Sequence, residues 1–139
     1  MKKMKISHLV KSEELNHHGT LYAGRMAEWF VEACFINGAQ VTRKPENIVC
    51  LKIHGFRFNT PANKGAILHI ETQMVKAGTT SFTVYGKATI NNDCDSIADG
   101  FITFVCVNGS GQPIPHNLTL DKPQTERERK LREEASSLR

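Results

Sequence analysis

The residues best suited to chemistry lie in one stretch of the chain, positions 15–40, which reads LNHHGTLYAGRMAEWFVEACFINGAQ. Its only charged side chains are Arg25, Glu28 and Glu32. At about 100° per residue, these three fall within a helical strip about 60° wide. Such a strip is either a thin solvent-facing stripe, in which Arg25 and Glu28 pair, or the wall of a cleft where a carboxylate handles protons.

A long helix must position these side chains. The sequence predicts it from about Leu21 to Gln40, with Thr20 as the N-cap residue. The opposite side of this helix is also largely apolar, so we expect it to be buried on most of its surface. The apolar residues that recur at steps of three and four are Met26, Trp29, Phe30, Ala33 and Ile36.

The rest of the chain has the patterns of an antiparallel sheet. In the second predicted strand, the alternation of polar and apolar residues reverses after Gly55, which predicts a β-bulge at or near that residue. One helix and five strands give an α+β fold, and the uncovered side of the helix predicts a partner subunit, most simply in a two-fold dimer. The predicted strands are residues 4–10, 47–58, 66–76, 80–90 and 96–107.

Length and composition narrow the class of protein. The 139 residues suffice for one domain, expected over residues 1–122, followed by a charged tail over 123–139. In that tail, Thr125 and Glu128 form a capping-box pattern, which predicts an exposed helix or a frayed end. The net charge of +4 suits an anionic small ligand, and no basic run is interleaved with aromatics, so nucleic acid is not an expected partner.

Neither a membrane segment nor a metal site is expected. No apolar run approaches the roughly 18 residues of a membrane span, and MKKMKISHLV has the pattern of a first strand rather than a signal peptide. The four cysteines form no C-x-x-C pair, so we expect reduced thiols in a cytoplasmic protein.

Several motifs together resemble one family. The segment N-H-H-G-T-L-Y-A-G followed by A-E-W-F-V-E-A is similar to the opening of the hot-dog-fold acyl-CoA thioesterases. Pro61 with Lys64-Gly65, the sequence V-K-A-G-T-T-S at residues 75–81, and the end of the chain resemble later parts of that family. The resemblance implies a hot-dog fold, in which a five-stranded antiparallel sheet wraps a long central helix, and assembly as dimers and often as tetramers or hexamers.

The resemblance also implies an activity: hydrolysis of an acyl-CoA to free acid and CoA, with no metal and no cofactor beyond the CoA of the substrate. The free amides at the helix start, from Tyr22, Ala23 and Gly24, would form the oxyanion hole. Glu32 is the first candidate for the general base and Glu28 the second. Burial in an apolar helix is expected to raise the pKa of such a carboxyl group.

Other residues receive roles from the same resemblance, and each also has a purely structural explanation. Asn16, His18 and Thr20 would orient the water or the substrate, although each could merely close a turn or cap the helix. The residues expected to bind CoA, some of which any hairpin would use, are Arg57, Lys64, Lys76, Gly78, Thr79, Thr80 and Ser81.

The chain also departs from the family pattern. Val31 occupies the position of the usual helix acid, and Thr20 stands where Asp or Asn is common. A second match, to the threonine, glutamate and histidine of hot-dog fluoroacetyl-CoA thioesterases, would use Thr20, Glu28 and His54, without implying that substrate. Two alternatives to hydrolysis stay open: a non-catalytic acyl-CoA-binding protein, and a hot-dog hydratase or dehydratase.

Overall fold

The computed structural model describes residues 3–138. Residues 1–2 of the predicted domain and residue 139 of the predicted tail therefore lie outside the described residues. Two short 3-10 helices, Ser12–Glu14 and Pro45–Asn47, flank the first α-helix. The expected α+β class is confirmed. The elements in order are β1 (Met4–Leu9), α1 (Ala23–Thr42), β2 (Ile48–Phe58), β3 (Ile67–Ala77), β4 (Ser81–Ile90), β5 (Ala98–Cys106) and α2 (Glu126–Ser136).

The five strands form one antiparallel sheet in the order β1-β3-β4-β5-β2. Helix α1 packs so closely on one face of this sheet, called the inner face, that its contacts need glycine. A Cβ atom at Gly86 would lie 2.5 Å from the ring of Phe30, and one at Gly38 would lie 2.6 Å from the ring of Phe82. The long helix therefore lies across the middle of the sheet.

Strand β2 contains the expected bulge. Its register with β5 shifts between His54 and Arg57, and Gly55 adopts φ +52, a conformation that favours glycine. A second shift lies between Cys50 and Lys52. The outcome is that Lys52, His54 and Arg57 share the outer face of the sheet.

The start of α1 differs from the prediction. The helix begins at Ala23, Tyr22 is the N-cap residue, and no side chain caps this end. Thr20 cannot be the cap, because it forms an extended bridge with Asn63, and the amide of Leu21 donates to the carbonyl of Ala62 at 2.8 Å. This pairing with a distant segment holds residues 20 and 21 in an extended conformation.

The C-terminal segment forms helix α2, and the hydroxyl of Thr125 accepts a hydrogen bond from the amide of Glu128 at 3.1 Å. The helix is not solvated on every side, as the charge run suggested. Leu131 and Ala135 are buried on the outer face of the sheet. They pack there with Val75, Tyr85 and Phe101.

Within residues 3–138, no helix combines the length and the apolar character that a membrane crossing requires. The same residues contain no cluster of histidine, cysteine or acidic side chains that could hold a metal ion. All four cysteines are free thiols, and burial raises the pKa of the Cys34 thiol far above its ordinary value.

Candidate active site

Asn16 closes the loop that leads into α1. Its side-chain oxygen accepts hydrogen bonds from the amides of His18 at 2.9 Å and Thr20 at 3.2 Å. Its side-chain nitrogen donates to the hydroxyl of Thr20 at 3.1 Å. Asn16 therefore closes the turn before α1, which is the structural alternative given for it in the sequence. The side chain of His18 is exposed, and its ring lies 3.9 Å from that of His17.

Two amides at the start of α1 are open. The first helical bonds are made by Arg25 and by the residue after it, both to the carbonyl of Tyr22. No described residue accepts a hydrogen bond from the amides of Ala23 or Gly24, which we call the start amides. The amide of Tyr22 is different, because it donates to the carbonyl of Glu14 at 2.9 Å. The expectation that Tyr22 supplies an oxyanion-hole donor is therefore wrong.

The start amides open on two concave surfaces. Ala23 lines a cavity of about 240 Å³ together with Asn16, Thr20, Met26 and residues 58–62. Gly24 lines a wider depression of about 500 Å³, which we call the trough. The other residues of the trough are Ala27, Glu28, Val31, Glu32, Phe35, Cys50 and Phe104.

Both candidate carboxylates line this trough, but Arg25 pairs with Glu28, so a single protomer shows the solvent-facing stripe rather than a closed cleft. Their expected burial is wrong for a single protomer, because Glu28 and Glu32 are both exposed. They also differ from each other. The carboxylate of Glu28 lies 3.3 Å from Nη1 of Arg25, whereas the side chain of Glu32 makes no hydrogen bond or ion pair with a described residue.

A buried glutamate beside the helix start was not foreseen. Glu14 is only 6% exposed. Its carboxylate lies 3.6 Å from Nε of Arg25 and 3.7 Å from Nζ of Lys11. Arg25 thus contacts both Glu14 and Glu28. The only sign of this in the sequence is the spacing of Lys11 and Glu14, since the contact with Arg25 depends on how the loop folds back.

Trp29 is buried in the core, as expected, but it makes a contact that the sequence did not indicate. The ring of His8 stacks on that of Trp29 at a centroid distance of 4.3 Å, and Nε2 of His8 is buried with no partner among the described residues. Burial lowers the pKa of His8, while the negative charges of Glu32 and Glu14 act in the opposite direction. His8 therefore stands close to both glutamates.

His54 does not join Thr20 and Glu28 within a protomer. It lies on the outer face of the sheet, where its Nε2 is 2.9 Å from Oγ1 of Thr103. The sheet separates it from α1. Burial lowers the pKa of His54, as do the positive charges of Lys52 and Lys76. The threonine, glutamate and histidine set is therefore not assembled in one chain.

The residues expected to bind CoA are divided between different places. Lys64 follows Asn63, which pairs with Thr20, so it lies at the helix-start end of the sheet. Arg57 is on the outer face, with its Nη2 3.5 Å from Oδ2 of Asp99. The other expected residues, at the opposite end of β3 and β4, are Lys76, Gly78, Thr79, Thr80 and Ser81.

In the hairpin between β3 and β4, several backbone hydrogen-bonding groups are already occupied. The amide of Gly78 donates to the carbonyl of Ser81 at 2.8 Å. The carbonyls of Thr79 and Thr80 accept from the amides of His116 and Cys106. Strand β3 has 11 residues, which corresponds to about 35 Å. This hairpin therefore cannot reach the start amides of its own chain.

Known proteins resemble this chain in sequence and in fold. A Bacillus subtilis relative described as an uncharacterized acyl-CoA thioester hydrolase is 25% identical over 119 residues, covering 83% of this chain and 67% of the relative. The acyl-CoA hydrolase of Staphylococcus aureus, solved with butyryl coenzyme A, is 23% identical, with a TM-score of 0.80 over 96% of this chain and 79% of that one. An apo-hexameric acyl-CoA thioesterase is 27% identical, with a TM-score of 0.81 over 97% and 86% of the two chains.

The family assignment rests on a longer match than any single motif. Residues 18–93, which include the last part of the loop before α1, the whole of α1 and strands β2 to β4, match the model of the thioesterase superfamily. The hot-dog fold implied by the sequence motifs is confirmed by the solved structures. The chain therefore belongs to the thioesterase superfamily.

Proposed function

We propose that the protein is an acyl-CoA thioesterase, which hydrolyses the thioester of an acyl-CoA to a free acid and CoA. The observation that carries this proposal is that Gly24, whose amide has no acceptor among the described residues, lines the same trough as Glu28 and Glu32. The description of the relatives as acyl-CoA thioester hydrolases and thioesterases supports the choice of substrate.

The chemistry divides between the two kinds of group. The start amides donate hydrogen bonds to the carbonyl oxygen, where negative charge develops as water attacks. A glutamate orients that water and takes one proton from it. The tetrahedral intermediate then collapses, the C–S bond breaks, and the same proton passes to the leaving CoA thiolate.

Glu32 is the better base by its contacts, since Arg25 already pairs with Glu28. The eight positions from Gly24 to Glu32 correspond to about 12 Å along a helix, which is more than one water molecule bridges. Glu32 therefore fits the start amides of another copy better than those of its own chain. We propose that it acts across a two-fold axis.

The exposed edge of the sheet supports this dimer. Strand β2 is an edge strand, and its side chains Val49, Leu51 and Ile53 are 48%, 64% and 48% exposed. An apolar edge of this kind is typical of a surface that another strand covers. Antiparallel pairing of β2 with β2 about a two-fold axis also reverses one α1 relative to the other. Since α1 runs from Ala23 to Thr42, Glu32 lies at its middle and is then brought toward the start of the neighbouring helix.

The same pairing bears on the residues that hold CoA. Lys64 lies at the helix-start end, so we propose that it contacts CoA phosphates bound to its own chain. Antiparallel pairing brings the β3–β4 hairpin end of the partner sheet toward the helix-start end of this chain. The backbone and hydroxyl groups of residues 78–80 are therefore candidates for contacts only from the partner, whereas Ser81 lines a cavity on the outer face and is not assigned to CoA. Arg57 and Lys76, on the outer face, are not assigned to CoA.

The direct test is thiol release from short, medium and long acyl-CoAs. Replacing the proposed base in Glu32→Gln is expected to lower kcat at least ~10²-fold. Glu28→Gln is the matched control, since it makes the same change one turn away on the same strip, and it is expected to lower kcat less than ~10-fold. If Glu32→Gln retains full turnover, this residue is not the base.

Complementation tests whether the site is shared between two copies. A mixture of inactive Glu32→Gln and Gly24→Ala chains forms heterodimers with one complete site, made of Gly24 from one chain and Glu32 from the other. Equal amounts at equilibrium are expected to regain about a quarter of wild-type turnover. A base that serves its own chain would give no recovery. Leu51→Lys, which charges the proposed interface, is expected to yield monomers in light scattering and to lose turnover.

One alternative also has an observation in its favour. Val31, at the position of the family's usual acid, is compatible with a protein that binds acyl-CoA without hydrolysing it. That function predicts saturable CoA binding with no thiol released from any acyl-CoA. A hydratase would instead change the absorbance of an enoyl-CoA without releasing thiol.

A further inference from the structure

A second polar cavity, of about 330 Å³, lies on the outer face of the sheet. The sheet separates it from α1 and from the trough. Apolar side chains of Ala135 and Leu138, at the end of the chain, cover part of it. Its polar lining consists of Lys52, His54, Lys76, Ser81, Thr83 and Thr103.

A short hydrogen-bonded chain fixes the imidazole in this cavity. Nε2 of His54 lies 2.9 Å from Oγ1 of Thr103, which lies 2.8 Å from Oγ1 of Thr83. Thr83 is only 3% exposed. When Thr83 donates to Thr103 and Thr103 donates to Nε2, the proton of the neutral imidazole is on Nδ1. No described residue accepts a hydrogen bond from Nδ1, so this N–H is available to a ligand.

The charge around the imidazole is positive. Lys52 and Lys76 line the cavity with His54, and burial, followed by the positive charges of these two lysines, lowers the pKa of His54. No carboxylate of the described residues lines the cavity. Since Lys52 already has a partner, Lys76 and His54 are taken as the main recognition groups.

We propose that this cavity binds a phosphate-bearing small molecule at a site separate from the thioester site. An ammonium group, an imidazole N–H and neighbouring hydroxyls are the donors that a tetrahedral oxyanion can accept from several directions. The volume falls within the range of small-molecule sites and exceeds what phosphate alone would fill. The apolar side chains of Ala135 and Leu138 therefore suit an organic group attached to the phosphate.

The test uses inorganic phosphate as the probe and the imidazole NMR signal of His54 as the readout, assigned by its loss in His54→Gln. Phosphate is expected to shift this signal saturably, whereas sodium chloride at equal ionic strength is not. Lys76→Gln is expected to weaken phosphate binding at least ~10-fold. Lys87→Gln makes the same change in β4, on the same outer face of the sheet but outside the cavity. This control is expected to leave phosphate binding unchanged.

Two results would overturn the proposal. The first is a shift that does not saturate, or that Lys76→Gln leaves unchanged. The second is loss of the phosphate-induced shift in the presence of saturating free CoA, which would assign the cavity to the nucleotide of CoA. If the two sites are separate, the shift is expected to persist. Because the readout is binding at the outer face, it is independent of whether the protein hydrolyses thioesters.

Discussion

A single methyl group at Gly24 should separate turnover from folding. The ring of Tyr22 lies against this glycine, and a Cβ atom at position 24 would be 2.4 Å from Cε2 of that ring. Contacts between such atoms are ordinarily 3.4–4 Å, so the ring must move by about 1 Å or more. Tyr22 is 58% exposed, so the ring has room to turn outward.

The effect on stability is small because two terms oppose each other. Alanine is favoured over glycine in a helix by up to about 1 kcal/mol. Displacing the ring into a poorer rotamer costs about 0.5–1.5 kcal/mol. The net change in unfolding free energy for Gly24→Ala is therefore within about 1 kcal/mol, which corresponds to a Tm change within about 5 °C.

If the amide of Gly24 is the proposed oxyanion-hole donor, the effect on turnover is large, because the methyl group and the displaced ring crowd the space beside that amide. Losing one oxyanion-hole donor typically lowers kcat by about 10²–10³, and we expect Gly24→Ala to fall in that range. The assay is thiol release from an acyl-CoA, run beside a thermal melt of the same sample. Gly109→Ala is the matched control, since a Cβ atom there meets nothing within 4 Å.

One result would refute this reasoning. If Gly24→Ala keeps turnover within ~3-fold of wild type while it folds normally, the amide of Gly24 does not contact the reacting carbonyl. The double change Tyr22→Ala with Gly24→Ala distinguishes the methyl group from the displaced ring. Turnover should stay low in the double variant if the methyl group is responsible.

Three further changes test the packing and the charge of the sheet. Gly86→Ala places a methyl group against the buried ring of Phe30, and we expect a loss of about 1–3 kcal/mol in urea unfolding. Leu131→Ala removes the main buried contact of α2, and we expect a loss of about 2–4 kcal/mol, with faster proteolysis of the C-terminal segment. Burial, with the charge of Asp99, raises the pKa of Tyr85 to about 12, so stability should fall as pH rises from about 10 to 12.

Each of these predictions has a contradicting outcome. Gly86→Ala with an unchanged urea midpoint would mean that α1 is not held as close to β4 as described. For Leu131→Ala, the control is Lys130→Ala at an exposed neighbour, and equal proteolysis of the two variants would show that α2 does not dock. For Tyr85, Tyr85→Phe should remove the phenolate that forms near pH 12 in absorbance titration. A stability that rises above pH 10 would reverse the predicted sign.

The elements that the sequence predicted well are those whose signals are local. The apolar period of α1 marks its length, and the reversal of alternation at Gly55 marks the bulge. The start of α1 was placed two residues early because Leu21 bonds to Ala62, a partner that no local pattern shows. In the site, Gly24, Glu28 and Glu32 lie on one side of α1, as their spacing indicated, but the spacing left open whether that side is a solvent-facing stripe or a cleft.

The features that the sequence did not predict depend on distant segments. The amide of Tyr22 is occupied because the loop folds back on Glu14, and that loop was interpreted only as a polar connection. His54 lies on the polar face that the alternation indicated, but its hydrogen bond to Thr103 depends on the pairing of β2 with β5. The burial of the glutamates was expected from the apolar helix, but one protomer leaves that side of α1 uncovered. Pairing between segments, rather than residue type, decides all three.

The two edges of the sheet differ in their exposed side chains, and this limits how far the sheet can extend. Along β2 the large exposed side chains are mainly apolar, although Lys52 and Arg57 are exposed as well, whereas β1 exposes Lys5 and Leu9, with Lys3 just before the strand. Lysines on an edge strand disfavour the approach of a further strand. Once two copies have joined through β2, only lysine-bearing edges remain at the ends. Pairing of this sheet should therefore stop at two chains and not continue into open-ended fibrils.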